Sequence, residues 1–285
     1  MLRITAERYW SIGEKTDMST RDVTRFTSVD HTADPGFFIH FLQASNKQPG
    51  AIAWKSSLLD GLGLKPGMKV LDVGCGLGDD AAELASLVGP SGRITGIDVS
   101  QSLISEAVRR FADRGLPLKF EVGDVQALRF ADESFDAVRA ERVLMHVPDS
   151  STAVAEMRRV LRRGGRMAVL DFDWETQFCD SPYKETTRKI ALSFCDGIRN
   201  GWIGRSLPRL LREAGMTEIS TSLRTVSVTH DFLQLFLGGH VARAVASGTL
   251  AQKEADLWWT HLANSNAEGT FFYGISAFIV AGVKI

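Results

Sequence analysis

Cysteine is scarce in this sequence, which contains only Cys75, Cys179 and Cys195 among its 285 residues. The three are odd in number and none belongs to a Cys-x-x-Cys pair, which argues against a disulfide framework and against a zinc site. We therefore interpret all three as reduced thiols, and we predict no metal site.

An excess of either charge is also absent, since 33 Lys and Arg residues stand against 34 Asp and Glu residues. A net charge of −1 provides no bulk attraction to nucleic acid or to an anionic membrane, so neither is an expected partner. No stretch approaches the roughly 20 apolar residues that span a bilayer, and residues 1–16 contain no apolar leader segment. We expect a cytoplasmic protein without stable membrane insertion.

The most informative stretch that is present is VLDVGCGLGDD, residues 70–80. A short apolar run typical of a buried parallel strand leads into three closely spaced glycines, and helical spacing follows from Ala81. Glycines let a ligand approach the backbone closely, and the N-terminus of the following helix offers free N–H groups. We therefore expect a nucleotide-like cofactor at this turn.

The spacing is not that of the dinucleotide fingerprint G-x-G-x-x-G. The glycines here follow the pattern G-x-G-x-G, so the third glycine of the fingerprint is missing, and Asp79 and Asp80 stand at the start of the helix. Two carboxylates would repel a pyrophosphate. A cofactor that carries an amino group and a sulfonium, and hence positive charge, would tolerate them.

Strand and helix patterns then alternate, with strands predicted at 92–98, 118–122, 135–140 and 167–170. This alternation predicts a parallel sheet with right-handed crossovers and a ligand site beyond the carboxyl ends of the strands. Asp98 ends the second strand about 20 residues past the turn, where an acid can accept hydrogen bonds from both ribose hydroxyls. The alternative for Asp98 is an acid that stabilises a helix N-terminus.

These residues resemble the class I S-adenosylmethionine-dependent methyltransferases, specifically the small-molecule branch related to the ubiquinone and menaquinone biosynthetic enzymes. The resemblance covers about residues 50–175. It implies an α/β fold with a doubly wound, mostly parallel seven-stranded Rossmann-like sheet, an N-terminal helical arm and helical cap insertions. It also implies S-adenosyl-L-methionine as the cofactor, bound by Asp72, Gly74, Cys75, Gly76, Gly78, Asp98, Val99, Asp124, Val125, Ala140 and Glu141.

In the resembled family the acid at Asp124 receives the adenine amino group and the next backbone N–H reaches a ring nitrogen; a surface turn is the alternative. We expect an arm or lid at 1–50, the cofactor-binding core at 51–175, a cap insertion at 176–203, and completion of the sheet at 204–285. Helices at about 231–267 interrupt that last part. The aromatic stripes of these helices indicate residues of the hydrophobic core or of a homodimer face rather than residues that line a pocket.

Several candidate residues concern the acceptor rather than the cofactor. His146 follows the fourth strand, where the resemblance places a histidine near the acceptor, and an imidazole there could act as general base. The alternative is a histidine satisfied by the backbone. Asp173 and Trp174 could line the acceptor site or be structural. Arg205 could bind an acidic acceptor or neutralise a nearby aspartate.

The expected function is transfer of the cofactor's methyl group to an O, N or C nucleophile of a partly apolar small molecule, such as a secondary metabolite. Two alternatives stay open. The protein could bind the cofactor as a scaffold or sensor without transfer, or it could use the same site for another reaction, such as a cyclisation.

Overall fold

The structure, a computed structural model, describes residues 22–32 and 34–285, so the predictions for residues 1–21 of the arm lie outside the described residues. A 3₁₀ helix covers Val23–His31. The α-helices are α1 Pro35–Asn46, α2 Pro49–Leu62, α3 Asp79–Val88, α4 Gln101–Phe111, α5 Ser150–Val160, α6 Lys184–Gly197, α7 Ile203–Glu213, α8 His230–Ala246 and α9 Gln252–Ala267. The strands are β1 Lys69–Val73, β2 Arg93–Asp98, β3 Leu118–Val122, β4 Phe135–Glu141, β5 Leu161–Cys179, β6 Met216–Ser227 and β7 Tyr273–Lys284.

The seven strands form one sheet in the order β3-β2-β1-β4-β5-β7-β6. The first five strands in this order pair in parallel, and β7 runs antiparallel to both β5 and β6. The four residues Val70–Val73 of β1 are all buried, as expected for a central strand covered on both faces. The predicted doubly wound, mostly parallel seven-stranded sheet is confirmed.

Strand β5 is much longer than the predicted segment 167–170. Its pairing with β4 shifts register near the Gly164–Gly165 turn, and the strand then continues to Cys179 along β7. Side chains alternate between the two faces of a strand. Phe172 therefore meets Trp54 of α2 on one face, with ring centroids 5.7 Å apart, while Asp173 points to the face covered by α7.

The 3₁₀ helix is attached to the rest of the fold at both ends. At its start, the buried carboxylate of Asp22 pairs with Arg243 of α8 at 2.7 Å. At its end, Asp30 accepts the Ser100 hydroxyl at 2.7 Å and the Gln101 N–H at 2.8 Å at the N-terminus of α4. Burial raises the pKa of Asp30, but the hydrogen bonds that its carboxylate accepts together outweigh burial and lower the pKa to about 2. The segment thus bridges the cap and the cofactor-binding half of the sheet.

Helices α8 and α9 are inserted between β6 and β7, in agreement with the predicted helical interruption of the last strands. Helix α8 packs against α6 and α1. The insertion after β5, which contains α6, and the insertion after β6, which contains α8, therefore lie together at the carboxyl edge of the sheet. Within the described residues, none of the helices combines the length and the apolar character needed to cross a bilayer. The homodimer expected from the aromatic stripes stays a prediction.

Candidate active site

A cavity of about 550 Å³ lies at the carboxyl ends of β1, β2 and β4. The glycine turn after β1, the residues that follow β2 and β3, and the loop after β4 form one part of its wall. Side chains of α6, α8 and β7 form the other part, and Phe26 of the 3₁₀ helix also contributes. The location is that at which open α/β sheets bind ligands.

Gly74 and Gly76 of the turn after β1 line the cavity, whereas Gly78 does not, and the space beside the three glycines differs. A Cβ on Gly74 would lie 2.3 Å from Val143, and a Cβ on Gly78 would lie 2.6 Å from Phe120. Both positions therefore need glycine for packing. A Cβ on Gly76 would meet nothing closer than 3.4 Å, although its φ of +52° also favours glycine. Gly76 is the position where a ligand can approach the main chain.

Asp98 stands at the end of β2, directly beside that turn. Its Oδ2 accepts the Gly76 N–H at 3.1 Å and its Oδ1 accepts the Ser100 N–H at 2.9 Å. Burial raises the pKa of Asp98 above its ordinary value, and the same two N–H groups oppose this rise. Each carboxylate oxygen keeps a second lone pair, so the side chain could accept the two ribose hydroxyls that the prediction assigns to it.

The wall next to Asp98 is formed by residues that follow β2 and β3. Val99, Asp124 and Val125 line the cavity there, and the assignment of Asp124 and Val125 to the adenine ring stays a prediction. Asp124 is exposed, and its Oδ1 accepts the Gln126 N–H at 2.8 Å, which is the surface turn of the alternative interpretation. The two interpretations are compatible, because a carboxylate in such a turn still has free lone pairs.

Cys75 also lines the cavity, but its thiol is buried and its pKa is raised well above the ordinary value, chiefly by that burial. A thiol with a raised pKa is a poor nucleophile, so Cys75 contributes its backbone and volume rather than its sulfur. Residues 22–32 and 34–285 contain no group of three or more His, Cys, Asp or Glu side chains that could hold a metal ion.

A buried cluster of charges lies below the glycine turn and centres on Arg139 of β4. Its guanidinium donates to Asp72 at 2.8 Å, to Asp80 at 2.9 Å and also to Glu141. Burial lowers the pKa of Arg139, but the three carboxylates outweigh it and raise the pKa well above its ordinary value. For the acid Asp72, burial has the opposite effect and raises the pKa to about 6, although the charge of Arg139 opposes this rise.

The two acids at the start of α3 are paired inside the protein. Asp80 also pairs with Lys55 of α2, and Asp79 pairs with Arg110 of α4 at 2.6 Å. Both acids line the cavity, yet neither is a free carboxylate. The predicted tolerance for a positively charged cofactor must therefore be credited mainly to Asp98 and Asp124, which form no ion pair in the described part of the chain.

Three of the predicted cofactor residues do not line the cavity, namely Asp72, Gly78 and Ala140. Asp72 points into the Arg139 cluster, Gly78 serves helix packing, and Ala140 is buried in β4. Glu141 does line the cavity, but its oxygens already accept from Arg139 and from the Trp54 indole N–H, the latter at 3.1 Å. The structure thus places Asp72, Gly78 and Ala140 in the support of the site, whereas the assignment of Glu141 to the cofactor stays a prediction.

The cluster retains unused hydrogen-bonding capacity. Among the described residues, Asp72 Oδ2, Arg139 Nε and Arg142 Nε are buried and have no hydrogen-bond partner. Arg142 also has a φ of +57°, which is uncommon for a residue with a side chain. Buried polar atoms are normally paired, and both arginines line the cavity, so this end could hold a polar group that carries charge.

His146 lines the cavity from the loop after β4. In the described part of the chain its ring forms no hydrogen bond, and Phe26 stacks against it with ring centroids 5.7 Å apart. Burial, with Arg142 and Arg199 nearby, lowers the pKa of His146 to about 4. The imidazole is therefore neutral at pH 7, and no described residue occupies its lone pair, which the alternative of a backbone-satisfied histidine does not predict.

Two residues that the sequence did not indicate hold this loop in place. Buried Asp171 accepts the Leu144 N–H at 3.0 Å, and burial raises its pKa to about 8. The Asn200 side chain donates to the carbonyls of Leu144 and Val147 at 2.8 and 2.7 Å. Neither contact has a local sequence signal, because each joins segments at least 27 residues apart.

The structure separates the three predicted acceptor residues. Trp174 lines the cavity, whereas Asp173 lies on the opposite face of β5 and pairs with Arg205 of α7. Arg205 also pairs with Glu175 at 2.8 Å. The assignment of Asp173 and Arg205 to the acceptor site is therefore corrected: Arg205 neutralises two acids, as the alternative interpretation held. The error came from ending β5 too early, since alternation along a longer strand turns Asp173 away.

The wall opposite the glycine turn is aromatic. Trp174 packs against Phe194 of α6 and Phe236 of α8, with ring centroids 5.1 and 5.4 Å apart. Phe41 and Phe232 stack beside them at 5.4 Å. All five rings line the cavity. The sequence analysis favoured a hydrophobic core or a dimer face for the aromatic residues of α8, but Phe232 and Phe236 lie on the wall of the pocket.

Comparison with known sequences matches residues 64–215 to the model of a methyltransferase domain family. The chain is similar to an uncharacterised 37.1 kDa protein of a Streptomyces fradiae transposon, with 39% identity over 85% of this chain and 70% of that protein. It is also similar to the ubiquinone/menaquinone biosynthesis C-methyltransferase of Bordetella avium, with 40% identity. That match covers 42% of this chain and 46% of the Bordetella protein, so the chain matches less than half of that enzyme.

Two solved structures share the fold. Haemonchus contortus phosphoethanolamine N-methyltransferase 2, in complex with S-adenosyl-L-methionine, is 19% identical, has a TM-score of 0.57, and is matched over 90% of this chain and 59% of that one. The [4+2]-cyclase SpnF is 24% identical, has a TM-score of 0.53, and is matched over 82% and 81% of the two chains. At these identities the likeness concerns the fold alone.

We predict that Gly76→Val abolishes cofactor binding while the protein stays folded, because the side chain fills the space beside the main chain. Gly89→Val is the control: its φ of +67° is also one that residues with side chains rarely adopt, but a Cβ there has no neighbour within 4 Å. Calorimetry with S-adenosylhomocysteine measures binding, and circular dichroism reports the fold. Equal binding by the two variants would refute the role of Gly76.

We predict that Asp98→Ala weakens S-adenosylhomocysteine binding by about ten- to a hundredfold, because each charge-assisted hydrogen bond contributes roughly 1.5–3 kcal/mol. Asp113→Ala, at an exposed aspartate after α4, serves as the control. Thermal unfolding of both variants separates loss of binding from loosening of the turn, since Gly76 also donates to Asp98. An unchanged dissociation constant would remove Asp98 from the ribose site.

Proposed function

This chain belongs to the class I S-adenosylmethionine-dependent methyltransferases, and we propose that it methylates an apolar small-molecule acceptor held against the aromatic wall of its cavity. The observation that carries the proposal is the continuity of that cavity. It joins Gly76 and Asp98 at one end to Trp174, Phe194 and Phe236 at the other.

The residues at the glycine-turn end are suited to hold S-adenosyl-L-methionine. Gly76 offers an open backbone, Asp98 and Asp124 offer carboxylate oxygens, and Arg139 and Arg142 line the same cavity. When bound, this cofactor supplies an electrophilic methyl group on a positively charged sulfonium. The protein's own contribution is to position the two reactants and to exclude water.

The aromatic wall supports an apolar acceptor. Rings with few polar groups favour apolar surface and disfavour a fully hydrated polar substrate. The nearby hydroxyl of Tyr273 is already committed, because it donates to Gln177. The Bordetella relative is named a C-methyltransferase, which supports the carbon nucleophile among the oxygen, nitrogen and carbon nucleophiles of the prediction.

His146 is the group that we assign to proton removal. It lines the cavity and carries a free lone pair at neutral pH, because its pKa is lowered to about 4. A lowered pKa makes it a weaker base than an exposed histidine, but it keeps the acceptor state over the physiological range. A phenol or amine acceptor would lose its proton to His146 as the methyl arrives, and a carbon acceptor would lose it afterwards.

The test of the proposed function is incubation of the purified protein with methyl-labelled cofactor and a fractionated metabolite extract. Labelled product formed together with S-adenosylhomocysteine supports methyl transfer. Cofactor binding without any product would favour a scaffold or sensor, and a new product without label would favour another reaction, such as cyclisation. Mass spectrometry of the labelled fraction identifies the methylated atom.

We predict that His146→Ala lowers turnover by about 10²- to 10⁴-fold and leaves cofactor affinity unchanged, since the base acts in the transition state. His146→Gln, which is polar but not basic, should be equally slow. The wild-type rate should be level above about pH 6 and fall as the pH approaches 4, where the buried imidazole protonates. Full activity of the alanine variant from about pH 6 to 9 would make His146 structural.

A further inference from the structure

Three arginines lie on the wall of the cavity, and their partners differ. Arg139 pairs with three carboxylates, and Arg142 pairs with Glu141 and donates to Ser45 at 2.6 Å. Arg199 forms no hydrogen bond or ion pair with any residue that the structure describes. It lines the cavity with its charge uncompensated by a contact.

The backbone at Arg199 is held in place beside the aromatic end, while the residue itself is exposed. It follows α6 in the turn that leads to α7, and its neighbour Asn200 fastens this turn to the loop that carries His146. The Asn200 N–H donates to Met145 at 3.0 Å, and the Trp174 N–H donates to Gly201 at 2.9 Å. The backbone on both sides of Arg199 is thus tied to the acceptor wall.

Arg199 also stands where the cavity meets the outside. A second, more open recess lies at the surface between α5 and α7, and it shares only Pro148, Ile198 and Arg199 with the wall of the main cavity. Asp149 and Asp196 line the recess but not the cavity. The carboxylate of Asp149 caps α5 by accepting the Ser151 and Thr152 N–H groups. Neither Asp149 nor Asp196 lies within ion-pair distance of Arg199.

The charges of the cavity are therefore arranged with opposite signs at its two ends. Among the residues that the structure describes, Asp98 and Asp124 have no ion-pair partner at the glycine-turn end, and Arg199 has none at the aromatic end. A guanidinium without a partner beside an apolar surface binds carboxylate, sulfonate or phosphate groups favourably. Its charge also contributes to the lowered pKa of His146, which agrees with its closeness to the acceptor site.

We propose that Arg199 recognises an anionic group on the acceptor, so that the substrate class is an amphipathic molecule with an apolar body and one acidic group at the cavity entrance. The apolar body lies against Trp174, Phe194 and Phe236, and the acidic group reaches Arg199 at the boundary with the outer recess. The proposal rests on the proposed function only in naming this ligand the methyl acceptor.

The test uses two fluorescent dyes that share an arylamine skeleton, anilinonaphthalene sulfonate and neutral N-phenylnaphthylamine, titrated into the intact protein of this sequence without cofactor. We expect Arg199→Met to weaken the sulfonate dye by about five- to tenfold and to change the neutral dye by less than about twofold. Arg199→Lys should recover most of the loss. Arg209→Met is the matched control, because Arg209 lines only the outer recess and pairs with Glu213 at 2.8 Å.

Three results would overturn the proposal. They are unchanged binding of the sulfonate dye to Arg199→Met, an equal loss of both dyes, and an equal loss of the sulfonate dye in Arg209→Met. Weaker binding of S-adenosylhomocysteine by Arg199→Met, measured by calorimetry, would also overturn it by assigning Arg199 to the cofactor. Since no turnover is measured, these outcomes are independent of the labelled-methyl experiment.

Discussion

The need to neutralise Arg139 inside the sheet determines how the cofactor half of the site is built. A buried guanidinium is stable only when carboxylates compensate it, and here they come from β1, α3 and β4 as Asp72, Asp80 and Glu141. Lys55 and Arg142 pair with two of these acids, so three acids face three cations. The cluster thereby joins α2, α3 and two strands directly below the glycine turn.

This balance explains why the acids near the turn are poor guides to ligand contacts. Asp72, Asp79 and Asp80 all lie where a sequence pattern suggests a positively charged ligand, yet each forms an ion pair with an internal cation. Asp98 differs because only backbone N–H groups contact it, which leaves its charge available. The distinction depends on Arg110 and Arg139, and nothing in the spacing of the acids reveals those partners.

The sheet was predictable because its signals are local. Short apolar runs, helical spacing and the glycine turn placed the central strands, and the ends of β2 and β3 brought Asp98, Val99, Asp124 and Val125 to one wall as expected. The acceptor half of the site was not predictable, because its geometry depends on the length of β5 and on contacts between residues distant in sequence. One extra stretch of β5 turned Asp173 away, and Asp171, Arg199 and Asn200 matter only through residues distant in sequence.

The two loops at the acceptor end connect recognition to proton transfer. Asn200 holds the turn that carries Arg199 against the loop of His146, so the charge of Arg199 acts on the imidazole although the arginine itself is exposed. Burial, Arg142 and Arg199 all disfavour the imidazolium. An acceptor whose acidic group neutralises Arg199 would remove one of these three effects and move the pKa of His146 back toward its ordinary value. The base would then be stronger with the proper substrate than with a neutral molecule, which makes charge recognition at the entrance a contribution to the chemistry and not only to affinity.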